Sequence, residues 1–178
     1  MLFGHSYGGL ITAASVADDD ADVRGVVLTA PVILSRTRWL VRRAAGAVSR
    51  IVPAAAVPGS PNPVPLAHDP AAVSRAGADA LMYRGTTTVR VGATALDVAD
   101  RLWRRVGDWR VPLVIFHGSS DASTDPLRSA AFVAAINAPT AEYRGIEGGY
   151  HELLHDQVGD DRIHSEILRR FRGWIAMP

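Results

Sequence analysis

A chain of 178 residues, 48% of them hydrophobic and with a formal net charge of +1, is long enough to bury one sizeable core and too apolar to be disordered. The near-zero charge gives no electrostatic case for a nucleic-acid partner. The absence of cysteine excludes disulfide frameworks, thiolate metal sites and cysteine nucleophiles. All 19 basic residues are arginine, beside heavy alanine, glycine and proline usage, which is read as the mark of a high-GC, bacterial genome. No apolar run reaches the length of a membrane span, and no charged-then-apolar leader stands at the start. The cytoplasm is therefore the expected compartment.

Leu2-Phe3 reads as the end of a buried strand, and residues 7–17 (YGGLITAASVA), small and apolar, as a helix packed tightly on a sheet. Asp18-Asp19-Asp20 with Asp22 ends that helix in a solvated loop. Residues 23–30 (VRGVVLTA) and 111–118 (VPLVIFHG) are near-continuous apolar runs, typical of strands covered on both faces. Residues 142–146 are a third candidate strand. Asp125-Pro126 pairs an N-cap with a first-turn proline, so a helix is predicted over 126–137. A last helix over 160–176 carries Ile163, Ile167, Leu168, Phe171 and Trp174 as one apolar stripe. Strands alternating with helices predict an α/β fold with a mostly parallel sheet.

Between the first two of these apolar runs lies a long insert, residues 32–108, which reads as a helical cap on a core made of residues 1–31 and 109–178. In RTRWLVRRAAGAVSRIV, Leu40, Val41, Ala44, Ala45, Val48, Ile51 and Val52 fall on one helical face and Arg42, Arg43 and Arg50 on the other. A proline-rich stretch follows (Pro53, Pro58, Pro61, Pro63, Pro65). Asp69-Pro70 then starts a short helix, and residues 92–107 form a longer one through Leu96, Ala99, Leu102, Trp103 and Val106.

The chemistry is carried by FGHSYGG near the start. An apolar strand before and a small-residue helix after are the setting of a nucleophile elbow, with Ser6 at its tip and Gly4, His5 and Gly8 shaping the turn. Gly4 and Gly8 are expected to leave room where a side chain would clash. The backbone N–H of Tyr7 is placed to face a developing oxyanion. A serine hydroxyl needs a base, and the base an orienting acid, in the chain order Ser, Asp or Glu, His. Asp121, just past the end of LVIFHGSSD, and His151, behind Gly148-Gly149-Tyr150, both sit at strand exits, where sites form in parallel sheets. Asp125 competes as the acid but is better explained as a cap. His155 and His164 compete as the base but fall in or near the final helix. His5 and His117 read as structural, and His68 as lying on the cap surface.

FGHSYGG, PLVIFHGSSDASTDP and IEGGYHELLHD, in that order, resemble the α/β-hydrolase superfamily, in particular its monoacylglycerol lipase and lysophospholipase branch. The cap segment LAHDPAAVSRAGADALMYRGTTTVRVGATAL, with Asp79 before an arginine-bearing helix, also resembles that branch. The resemblance implies a serine carboxylic-ester hydrolase: Ser6 as nucleophile, His151 as base, Asp121 as orienter and the Tyr7 N–H as an oxyanion donor. It implies a small acyl-ester substrate, no metal or organic cofactor, and transient contact of the cap with lipid surfaces. Members of the superfamily usually carry further strands and a His-Gly oxyanion loop before the elbow, and this sequence has neither. The expectation is therefore a C-terminal portion of such an enzyme, poorly soluble and nearly inactive by itself.

Overall fold

The computed structural model describes residues 1–57, 66–83, 85–136, 140–155 and 160–176. Four strands, β1 (Leu2–His5), β2 (Val26–Thr29), β3 (Leu113–Gly118) and β4 (Ala141–Ile146), form one parallel sheet in the order β1-β2-β3-β4. Leu2 pairs with Val26, Val26 with Leu113, and Leu113 with Ala141. The carboxyl ends of all four strands therefore open on one edge. Every residue of β2 and β3 is buried, as their unbroken apolar runs predict. β1 is an edge strand, and Leu2 and Phe3 are exposed instead of buried.

Strand periodicity divides the core between the two faces of the sheet. Val26, Leu28, Leu113 and Ile115 point to one face, where helices α1 (Ser6–Asp18), α4 (Val89–Arg105) and α5 (Pro126–Ala135) add Leu10, Ala13, Ala99, Leu102 and Phe132. Val27, Val114 and Phe116 point to the other, beneath Ile163, Ile167 and Trp174 of helix α6 (Asp160–Ile175). Each Val, Leu, Ile or Phe among them, once buried, stabilises the fold by about 1.5–3 kcal/mol. Leu168 departs from the expected stripe on α6. It is exposed, because the sheet takes the narrow face of Ile163, Ile167 and Trp174, with Phe171 half-buried beside them.

Helix starts follow their caps. Asp125 Oδ1 accepts the Leu127 N–H at 2.9 Å, and Asp69 Oδ1 accepts the Ala71 N–H at 2.8 Å at the head of helix α3 (Pro70–Ala78). Pro58, Pro61, Pro63, Pro65 and the last expected residue of α5, Asn137, lie outside the described residues.

Helix α2 (Trp39–Ile51) turns its apolar face away from the core. None of its residues is buried, Trp39 is 60% and Ile51 80% exposed, and Leu40, Val41 and Val48 also face outward. Arg42, on the opposite side of the helix, reaches the buried Asp100 of α4 and ion-pairs with it, beside Arg104. The inward side of α2 is small and polar because the available surface of α4 carries a buried anion. Among the described residues, no helix is long and apolar enough to cross a membrane.

Candidate active site

The turn from β1 into α1 is the first component. Ser6 has φ of +53°, a left-handed conformation that costs a non-glycine residue energy and that a tight strand-to-helix elbow imposes. Gly4 is required there: a Cβ would lie 2.6 Å from Thr12 Oγ1 and 2.8 Å from the Gly8 carbonyl oxygen. The same role was expected of Gly8, but a Cβ on Gly8 would meet nothing within 4 Å. The close approach belongs to Gly9, whose Cβ would stand 2.6 Å from Pro31 Cβ, because α1 turns its Gly9 side toward the exit of β2.

Asp121 follows β3 in a turn that returns its N–H to the Gly118 carbonyl. Its Oδ1 accepts the N–H groups of Ser123 at 2.7 Å and Thr124 at 3.0 Å, and its Oδ2 accepts the Thr124 hydroxyl at 2.8 Å. Two imidazoles face the same Oδ2, His151 Nδ1 at 2.8 Å and His117 Nε2 at 3.2 Å. Burial by itself would raise the pKa of this carboxyl. The hydrogen bonds from His117, His151 and Thr124 together outweigh burial and hold it well below the usual carboxylate range. On its other side the fully buried His117 ring meets Ser129 Oγ, 2.8 Å from Nδ1.

His151 leaves β4 through Gly148, at φ +69°, and Gly149. The loops that carry Asp121 and His151 are tied together. The N–H groups of Ser119 and Ser120 donate to the Ile146 and Gly149 carbonyls at 2.9 and 3.0 Å, and the Gly148 N–H donates to Ser119 Oγ at 2.9 Å. The buried His151 then reaches back with Nε2 to Ser6 Oγ at 3.0 Å. A hydroxyl, an imidazole and an ionised carboxylate so connected can pass the serine proton to the ring while the anion stabilises the imidazolium. The Tyr7 N–H stands in the first turn of α1, where N–H groups have no intrahelical acceptor.

The competing residues sit apart from this line. Asp125 is exposed, caps α5 and pairs with Arg128 at 3.4 Å; His155 and His164 are exposed. Three contacts were not anticipated. His117 shares the Asp121 carboxylate, although its place four residues before Asp121 at a strand end was a signal. His5 Nε2 meets Glu152 Oε1 at 3.2 Å, and this contact with His5, ahead of burial in effect, holds the Glu152 carboxyl below its ordinary value. His68 stacks on Tyr150 with ring centroids 3.6 Å apart, and the Glu152 N–H donates to the Leu66 carbonyl at 2.8 Å. The residues on both sides of His151 are therefore braced by the 66–68 segment.

Residues 1–158 match the family described as serine aminopeptidase, S33. The chain belongs to that family. Solved structures show that this S33-family chain has the α/β-hydrolase fold. It is similar to a monoacylglycerol lipase from Paleococcus ferrophilus, with TM-score 0.84, 23% identity, and 97% of this chain and 68% of that one covered. A soluble variant of the monoglyceride lipase from Saccharomyces cerevisiae, solved with a substrate analogue, gives TM-score 0.71 and 17% identity over 97% of this chain and 62% of that one. A thermostable carboxyl esterase from Bacillus coagulans, solved with glycerol, gives TM-score 0.75 and 15% identity over 98% and 64%. The S33-family chain thus spans 68%, 62% and 64% of the lengths of these three.

Proposed function

We propose that the chain hydrolyses carboxylic esters of single-chain acyl lipids, monoacylglycerols or lysophospholipids, through an acyl-serine intermediate. The carrying observation is the unbroken relay of 3.0 Å from Ser6 Oγ to His151 Nε2 and 2.8 Å from His151 Nδ1 to Asp121 Oδ2. In this reading Ser6 Oγ attacks the ester carbonyl as its proton passes to His151, and Asp121 stabilises the imidazolium. The Tyr7 N–H takes the oxyanion at the head of α1. His151 returns the proton to the departing alcohol, then activates the water that releases the fatty acid. Residues 1–31 and 109–178 are proposed as the catalytic core, joined by α4, which packs on the same sheet face as α1, and the rest of 32–108 as its cap, with the outward apolar face of α2 touching the lipid surface.

The substrate class is supported by the likeness in fold to two glyceride lipases and an esterase, and by the apolar exterior of α2. The family description favours a second reading, release of an amino-terminal residue from a peptide. That chemistry wants a carboxylate to hold the substrate ammonium, and the nearby Glu152 already faces His5.

A fluorophosphonate probe tests the mechanism and a substrate panel tests the class. The probe is expected to label the wild type and not Ser6→Ala, and Ser6→Ala is expected to abolish the ester turnover that the chain retains. Faster cleavage of an aminoacyl nitroanilide than of a monoacylglycerol would overturn the lipid assignment. An unlabelled folded wild type would overturn the mechanism.

A further inference from the structure

Two imidazoles beside the elbow are oriented alike. His5 Nδ1 lies 3.1 Å from the Thr29 carbonyl oxygen and 3.1 Å from its hydroxyl, which turns Nε2 toward Glu152 Oε1 at 3.2 Å. His151 Nδ1 is held by Asp121 Oδ2 at 2.8 Å, which leaves its Nε2 as the outward nitrogen. In each ring an oxygen engages Nδ1, and the opposite nitrogen faces Glu152 in His5 and Ser6 in His151. Metal-binding histidines are oriented in this way by their outer hydrogen bonds.

The spacing suits the same purpose. The rings are 4.9 Å apart between centroids, and one donor atom from each of His5, His151 and Glu152 lies within 4.8 Å of the others. Four-coordinate zinc, with bonds of about 2.0–2.2 Å, holds its ligands roughly 3.3 Å apart. His5 and Glu152 already have that separation at 3.2 Å. Coordination through His151 Nε2 uses the lone pair that otherwise faces Ser6 Oγ at 3.0 Å, so a bound cation and the serine proton compete for one nitrogen.

We propose that a borderline divalent cation, zinc in particular, binds through His5 Nε2, Glu152 Oε1 and His151 Nε2 and reversibly blocks the site. No electron moves: the cation takes one lone pair from each ligand, and any proton on either Nε2 leaves to solvent. Two imidazoles and one carboxylate select zinc over magnesium or calcium, which prefer all-oxygen sites. The inhibitory consequence rests on the proposed role of His151 as base; the binding itself does not.

Titration of the whole 178-residue chain with zinc, against a chromophoric chelator, reads binding without turnover. One zinc per chain is expected, with affinity about tenfold or more weaker in His5→Gln and in Glu152→Gln. Ser6→Ala, which removes turnover, should keep the affinity, and magnesium should not compete. Cobalt(II) in the wild type should give the visible bands of a four-coordinate nitrogen–oxygen site, a measurement that needs no variant to fold. Zinc should suppress hydrolysis of a p-nitrophenyl ester, chelator should restore it, and the half-inhibiting concentration should rise in both variants. Unchanged affinity in both variants, or cobalt without those bands, overturns the site. Zinc bound with undiminished turnover overturns the blockade. A folded chain that neither turns over the ester nor takes the fluorophosphonate probe before zinc is added overturns the hydrolase reading, while the titration still decides the metal site.

Discussion

Asp100 and Asp121 are both buried carboxylates, 5% and 8% exposed, yet their surroundings differ in kind. Asp100 faces the guanidinium groups of Arg42 and Arg104. Asp121 faces backbone N–H groups, a hydroxyl and two imidazoles. Guanidinium is always charged, so the anion at Asp100 is cancelled by permanent partners and fastens α2 to α4. Dipoles hold the anion at Asp121 without cancelling it, which leaves its charge available to an imidazolium forming beside it. The nature of the partners, rather than the degree of burial, separates an aspartate fastened between two helices from one held beside an imidazole.

The contrast can be broken from either side. Asp121→Asn should lower ester turnover by about 10⁴, read from kcat, because the amide neither orients the ring correctly nor stabilises its charged form. Asp100→Ala leaves Arg42, whose side chain is only 17% exposed, without its counter-ion. It should cost about 3–5 kcal/mol in urea unfolding. A stable Asp100→Ala chain with lost turnover would reverse the two assignments.

Acid should erode the dipole-held and arginine-held carboxylates in the same direction. Glu166 is lowered from its ordinary 4.5 to about 2, chiefly by the Arg169 hydrogen bond and against burial, with Arg170 adding to it. A depressed folded pKa means stability that is full above the unfolded value and lost as pH falls through the folded one. Asp121 and Glu142 are lowered as well, so the urea midpoint should fall steadily from pH 4.5 toward pH 2. Glu166→Gln should flatten part of that slope.

The smallest effect is expected on the exposed face of α2. Ile51→Ser should change unfolding free energy by no more than about 0.5 kcal/mol. The equivalent loss of an apolar side chain beneath the sheet, Ile163→Ala on α6, should cost about 2–5 kcal/mol by the same measurement.

Much of this architecture was legible locally. The apolar runs of β2 and β3 announced buried strands, and Asp69-Pro70 and Asp125-Pro126 announced their helix starts within a residue. The elbow, and the line from Ser6 through His151 to Asp121, followed from turn chemistry and chain order. The second imidazole on Asp121 and the His5–Glu152 pair did not, because they join residues whose meeting depends on how loops cross the sheet edge.

By itself, then, the sequence determined which segments are strands and helices and which three side chains stand at strand exits, since caps, periods and turn residues act over a few neighbours. Only the tertiary structure decided that α2 turns Arg42 inward and its apolar face out, that Gly9 and not Gly8 provides the close approach, and that Leu168 stays in solvent. A helical period marks an apolar face, but the surface offered by distant segments chooses which face is buried. Here one such surface already held the charge of Asp100.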